Sequence, residues 1–319
     1  MSTPRQVVVG VDLGGTATRV VVVAQDHPES STHRTVPTRS LVGTSPSQSV
    51  TNLAEALRSI IGVDDLLAVG VGASGPVDPL RGVIENPDTL PWFSGIGVVD
   101  ELTSAFGVPV WLDNDAVCAA IGEYALGAGA GSSRMLMVTL GTGIGAAVID
   151  DGQPYRAADG GHPEAGHIGI GASTDVCYCG STGCWEMSAS RTALERAAVS
   201  LFPPSTPPAD RIAWLAENAA SSPEVQQCLA GYGASMARGL LVLRTVYRPD
   251  RIVLGGSVAA LYPLFRDHSE RVMRLAGAFD ADVPVVVGSL GDIAGAEGAA
   301  RIATVAVTRT TASPVGSRP

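Results

Sequence analysis

Residues 164–186 read EAGHIGIGASTDVCYCGSTGCWE and hold one His and three Cys in a chain that has only 5 of each. The pattern His167-x9-Cys177-x-Cys179-x4-Cys184 offers three thiolates and one imidazole, the donor set of a tetrahedral structural zinc site. Four protein ligands leave no open position, so metal-activated water is not the expected chemistry. Gly180 and Gly183 suit a tight knuckle, and Cys177 and Cys179 stand too close for an easy disulfide. Buried free thiols or a redox pair are the competing readings. A carboxylate flanks each end, Glu164 and Glu186, and a pinned loop would present both at fixed positions for sugar hydroxyls. Taken alone, Glu164 also reads as an ordinary surface residue.

Two further groups of residues could do chemistry. In GVDLGGTATR, Asp12 ends an apolar run and Gly14, Gly15 and Thr16 follow. Glycine turns expose backbone N–H groups that cradle phosphate without a lysine, and an Asp at a strand end can hold Mg2+ through water. TLGTGIG offers a second such turn with Thr142 and Gly143, and LGGS a third at Gly256, suited to lie against a purine. Any one of these is equally readable as a tight hairpin. Three of them, with an Asp in the first, favour a nucleotide. None is a GxGxxG that opens a helix after a strand, which disfavours a dinucleotide fold. In LDNDAVCAA, Asn114 and Asp115 lie between a strand and a helix. Either residue could cap the helix, or a carboxylate at the strand's C-terminal end could serve as the base of a phosphoryl transfer. Both readings stay open at this level.

Bulk properties restrict the classes. The chain has 319 residues, 45% hydrophobic content and a formal net charge of −10. An acidic surface argues against nucleic-acid or anionic-membrane partners. All 21 Lys+Arg residues are Arg, so a P-loop of the GxxxxGK[ST] type is impossible. The opening apolar run ends at Asp12, too short for a signal peptide or a spanning helix. A cytoplasmic protein is expected, where thiols stay reduced and clustered Cys favour metal. Cys118 and Cys228 stand alone and read as small core residues.

The elements that must position these residues alternate strand and helix, which is the α/β pattern. QVVVGVDLGGTATRVVVV and MLMVTLGTGIGAAVIDDGQPY each read as strand, glycine turn and strand. VPVWLDNDAVCAAIGEYALGAG reads as strand, polar turn and helix. LLAVGVGASGPVD is a strand running into a loop, and YRPDRIVLGGSVA a strand ending in a turn. VPVVVGSLGDIAGAEGAARIATVAV reads as strand, loop and final helix. The two glycine-turn hairpins echo each other and suggest two related α/β halves. LFPPSTPPADR reads as a loop in the second half.

These motifs, with GASGPVDPLRGVIENPDTLPW, EAGHIGIG and CYCGSTGCWE, resemble those of the ROK family of sugar kinases and repressors over about residues 6 to 300. The resemblance implies an actin-like ATPase (ribonuclease H-like) fold: two α/β domains around a cleft, with a zinc knuckle. It implies a smaller domain at residues 1–115, joined by the final helix at about 294–308. A larger domain at 116–293 carries the zinc loop, and a disordered tail at 309–319 follows. It implies ATP-dependent phosphorylation of a hexose 6-hydroxyl, glucose first. An amino or N-acetylated hexose, fructose, or a non-catalytic sugar-sensing role are the alternatives. Carried over by position, Asp115 is the base. Gly75, Asn86, Asn114, Glu164, His167 and Glu186 are the sugar ligands. Asp12, Gly14, Gly15, Thr16, Thr142, Gly143 and Gly256 contact nucleotide and Mg2+, while His167, Cys177, Cys179 and Cys184 hold Zn2+. A homodimer or homotetramer is implied. Two positions depart from the family pattern: Ala17 stands where a Lys is usual, and Thr89 where an Asn is common. HPEAGH at 162–167 is similar to the family's fructokinases. Nine residues precede Gly10 in this sequence, so a repressor's helix-turn-helix is not expected ahead of it.

Overall fold

The computed structural model describes residues 4–171, 173–275 and 283–312. In chain order the elements are β1 (Gln6–Leu13), β2 (Ala17–Ala24), β3 (His27–Pro37), α1 (Pro46–Ile61), β4 (Asp65–Ala73), β5 (Val77–Asp78), β6 (Val83–Ile84), α2 (Val98–Phe106), β7 (Val110–Asn114) and α3 (Asp115–Leu126). There follow β8 (Arg134–Leu140), β9 (Ile144–Asp150), β10 (Gln153–Pro154), α4 (Glu186–Ala189), α5 (Arg191–Ala197), α6 (Arg211–Asn218), α7 (Pro223–Tyr247), β11 (Arg251–Gly255), α8 (Tyr262–Leu275), β12 (Val285–Val287) and α9 (Ala294–Ala312). They form two α/β units, each with its own five-stranded mixed sheet and core. The first takes the chain up to Ala130, then Pro154–His162, and the chain from Asp292 on; the second takes the remainder.

In the first unit the order is β3-β2-β1-β4-β7. β1 and β2 form the expected antiparallel hairpin, and β1, β4 and β7 run parallel. Val7, Val8, Val9, Val11 and Leu13 of β1 are all buried. That is why the strand reads as continuous valine rather than as an alternation: neighbours cover both its faces. β3 is an edge strand of mostly polar residues and gives no hydrophobic signal in the sequence. α1 is capped by the Ser45 side chain, which accepts from Gln48 N, and Val50, Leu53, Leu57 and Ile61 line its buried face.

The contacts divide the chain after Ala130 rather than at residue 115, because α3 packs against α9. That crossing is too close for side chains. A Cβ on Gly298 would stand 1.7 Å from the Cys118 carbonyl oxygen, and one on Gly122 2.4 Å from that of Ala294. The run of Gly and Ala in both helices is the reason the backbones can approach. α9 extends to Ala312, so the tail expected to be disordered from 309 begins inside a helix; residues 313–319 lie outside the described residues.

In the second unit the order is β10-β9-β8-β11-β12, with the β8–β9 hairpin antiparallel and β8, β11 and β12 parallel. α7 runs along a core that includes Trp185, Met236, Leu240 and Phe265. The Pro-rich segment ends in a short 3-10 turn, Pro208–Asp210, before α6. Among the described residues no helix is long and apolar enough to cross a membrane.

Candidate active site and metal centre

In the first unit, the candidate residues gather at the C-terminal ends of the parallel strands, where α/β proteins place ligand sites. Asp12 pairs in register with Gly72, and Ala73 with Asn114. The structure separates the two roles that the Asn-Asp turn left open. Asn114 is the cap: its φ and ψ are −69° and 146°, and its side-chain oxygen accepts from Ala116 N at 2.8 Å and Val117 N at 3.4 Å. Asp115 is thereby the first helical residue, with no cap to supply. One of its carboxylate oxygens accepts from Ala116 N at 2.8 Å and the other from Ser74 Oγ at 3.0 Å. Burial raises its pKa, while those hydrogen bonds and the nearby His162 pull the other way; the net direction is up.

Asp12 lies close enough to Asp115 to feel its charge. Burial first, then Asp115 and Asp292, push its carboxyl up to about 7, against the opposing pull of Arg19. The Arg19 guanidinium stands 3.7 Å from Asp12 and 3.1 Å from Asp292. Two carboxylates held in this state form a place where a cation would relieve repulsion. The turn after Asp12 is shaped by Thr38, whose hydroxyl donates to Gly14 O at 2.6 Å and whose N–H donates to Thr16 O at 3.0 Å. Thr16 itself is exposed. Asn86 is buried and heavily committed: its amide donates to Ser74 O at 3.1 Å and Gly75 O at 2.5 Å, and its oxygen accepts from Thr89 N at 2.9 Å. It shapes the loop that carries Ser74 and Gly75.

In the second unit, Thr142 and Gly143 form the β8–β9 turn. The turn is fixed from outside by Arg191 N donating to Gly141 O at 2.8 Å and Thr192 Oγ1 donating to Thr142 O at 2.8 Å. Gly143 lies against the Glu186 carboxylate: a Cβ there would lie 2.7 Å from Glu186 Oε2 and push that side chain aside. Gly256 has φ +79° and follows β11, with Val258 N bonded to Leu140 O at 3.2 Å, so the second and third glycine turns share one end of this sheet.

The metal set comes together. Ligand atoms of His167, Cys177, Cys179 and Cys184 all lie within 4.8 Å of one another. Cys177 Sγ is 3.5 Å from His167 Nδ1, and Cys179 Sγ is 3.5 Å from Cys184 Sγ. In a tetrahedral site with Zn–S near 2.3 Å, neighbouring ligand atoms stand about 3.8 Å apart, so these residues fit zinc. The loop is braced besides: Gly169 bridges Cys184, Val176 bridges Thr182, and Cys177 N donates to Ser181 O at 2.8 Å. The two flanking Glu differ. Glu186 is buried, accepts from Cys177 Sγ at 3.2 Å and lies 3.6 Å from His167 Nδ1. Glu164 is exposed, at the start of the 3-10 turn Ala165–His167. Tyr178, between two of the Cys, places its hydroxyl 2.9 Å from His167 Nε2. Most of the Tyr178 side chain is open to solvent, but local desolvation of its hydroxyl, then Glu186 and Glu164, push that phenol up to about 12.

The ROK family model matches residues 8–306. The chain belongs to the ROK family. It is 30% identical over 312 residues to a glucokinase from Streptomyces coelicolor, covering 92% of this chain and 96% of that one. With a glucokinase from Thermotoga maritima it shares 33% identity over 193 residues, 60% of each chain. A fructokinase from Zymomonas mobilis is 28% identical over 312 residues, 93% of this chain and 96% of that one. Among solved structures, a ROK hexokinase from Thermus thermophilus superposes with a TM-score of 0.77 at 31% identity, covering 95% of this chain and 99% of that one. A ROK family glucokinase from Streptomyces griseus, in complex with glucose and AMPPNP, gives 0.76 at 28% identity, covering 93% and 99%.

Within this ROK fold, three participants lie outside the candidate residues read from the sequence: Ser74 and Trp185 fall inside quoted motifs, and Arg156 in none. Ser74, beside Gly75 in the GASGPVD motif, donates to Asp115. Arg156 forms a two-pronged ion pair with buried Asp113, whose Oδ1 also accepts from Asn114 N at 2.8 Å. This pair anchors Pro154–His162 to the first unit beneath the Asn-Asp turn. Trp185 is fully buried between the knuckle and α7, with its indole N–H donating to Ser235 O at 3.2 Å.

Proposed function

We infer that the chain is an ATP-dependent hexose kinase acting on the 6-hydroxyl, with glucose as the first acceptor. One observation carries this reading: Asn114 takes over the helix cap and leaves Asp115, beside Asp12 at the strand ends, as a carboxylate with an elevated pKa and no structural cap to fill. In the transfer, the sugar oxygen attacks the γ-phosphorus as its proton passes to Asp115. The bond to the bridging oxygen then breaks and ADP leaves. Asp12 would hold Mg2+ through water, and that ion neutralises phosphate charge when bound. The turns at Gly14, Gly15 and Thr16, at Thr142 and Gly143, and at Gly256 supply N–H groups and close approach for the nucleotide. Gly75, Asn86, Asn114, Glu164, His167 and Glu186 are assigned to the sugar side, with Asn86 acting through the loop that it shapes. His167, Cys177, Cys179 and Cys184 hold a structural zinc. The family and the glucokinase relatives support this assignment.

Fructose is the second acceptor to consider, because HPEAGH and a full-length fructokinase relative both point to it. The deciding experiment is a panel of glucose, fructose, mannose, glucosamine and the N-acetylhexosamines with ATP and Mg2+, followed by ADP release. Glucose should show the highest kcat/KM. No ADP release with any sugar would overturn the kinase reading.

A further inference from the structure

The knuckle residue between Cys177 and Cys179 is a tyrosine with 81% of its surface exposed. An exposed phenol can satisfy its hydroxyl with water, yet this one bonds His167 Nε2 at 2.9 Å and sets its ring edge-on to the imidazole, with centroids 4.9 Å apart. His167 Nδ1 faces Cys177 Sγ at 3.5 Å, so its metal-side nitrogen is fixed. A histidine that ligates metal through one nitrogen carries its proton on the other and donates it to an acceptor that holds the ring. Here Tyr178 Oη fills that place. If His167 also grips a hexose hydroxyl, which is the proposed reading on which this inference rests, sugar and phenol compete for the same N–H.

We propose that Tyr178 is a self-ligand of the sugar site: its hydroxyl occupies His167 Nε2 in the sugar-free protein and is displaced by the incoming hexose hydroxyl. Glu186, buried and touching both Cys177 and His167, keeps the imidazole in place during the exchange. The geometry favours displacement. The side chain that must leave is already solvated, and it sits on the knuckle itself, so it can swing outward without disturbing the core. A hydrogen bond that competes with water contributes modestly, which sets the handicap on sugar binding at about two- to tenfold.

The test uses zinc-loaded wild-type protein and Tyr178→Phe, which keeps the ring contact and removes the hydroxyl. Glucose affinity is measured by calorimetry, and the His167 Nε2 resonance is followed by nitrogen NMR with and without glucose. The expected result is about two- to tenfold tighter glucose binding in Tyr178→Phe, with unchanged zinc content. The Nε2 signal should be shifted between the two sugar-free proteins and coincide once both are saturated. Weaker binding in Tyr178→Phe would make the phenol a sugar ligand and overturn the proposal. Unchanged affinity would show that the ring merely packs on His167 and would overturn it too. If the wild type neither binds nor phosphorylates any hexose, the kinase reading itself has failed. Sugar turnover with unaltered affinity in the variant sinks this proposal alone.

Discussion

At the scale of single residues, the Asn114–Asp115 pair shows how one oxygen atom decides a role. Both residue types cap helices about equally well, and only the hydrogen bonds of Asn114 reveal which one does so. Asp115→Asn should therefore leave stability and nucleotide binding close to wild type and lower kcat by ~10²–10⁴-fold, the usual contribution of a positioned base. Steady-state kinetics beside urea denaturation checks both halves, and near-normal turnover would remove Asp115 from the mechanism. Asp12 makes a second case. Its folded pKa, about 7, lies above the ordinary 3.8. The folded state thus holds its proton more tightly, and the stability this contributes is full below about pH 4 and lost as pH rises through about 7. In EDTA, Asp12→Asn should be more stable relative to wild type at pH 8 than at pH 5. Denaturation curves with a pH-independent difference between the two proteins would show that Asp12 is not strained by its neighbours.

At the scale of elements, the knuckle is held twice, by its ligand set and by Trp185. The two supports should fail differently. Cys179→Ser removes a ligand from an exposed position, so it should abolish stoichiometric zinc while α7 and the sheet of the second unit keep their structure. Trp185→Ala opens a cavity against α7, where the ring lies so close to Gly239 that a Cβ there would stand 2.1 Å from it. Such truncations cost about 3–5 kcal/mol, so the melting temperature should fall sharply even in zinc-replete buffer. Elemental analysis together with calorimetric melting separates the two. Zinc retained in full by Cys179→Ser would refute the Cys3His assignment.

At the scale of the whole molecule, the two units own separate cores, and the ligand set lies in only one of them. Metal binding contributes folding free energy where its ligands are, and local stability need not be uniform. Stripping zinc with a strong chelator should therefore speed amide exchange across residues 163–187. Strands β1, β4 and β7 should stay as protected as before. Exchange read by mass spectrometry would show it, and an equal loss of protection in both units would mean that the site stabilises the entire chain.

The sequence by itself determined the parts whose partners are close along the chain. Both glycine-turn hairpins, the strand, turn and helix at residues 110–126, and the four metal ligands all follow from spacings of a few to some twenty residues. Over that range the backbone geometry leaves few alternatives. Tertiary structure alone decided the remainder. β3 is polar because it is an edge strand, so periodicity could not find it. Arg156 meets Asp113 across 43 positions of sequence, and nothing local distinguishes it from the other arginines. α3 joins the first unit because Gly122 and Gly298 let two backbones meet, a preference that small residues permit but do not specify. The family resemblance named Asn86, but only the fold shows that it shapes the loop of Ser74 and Gly75, and Tyr178 looks like any polar loop residue until His167 meets it. Local pattern encodes an element through its own repeat, whereas a contact between distant residues depends on how complete elements pack, and no single residue type carries that information.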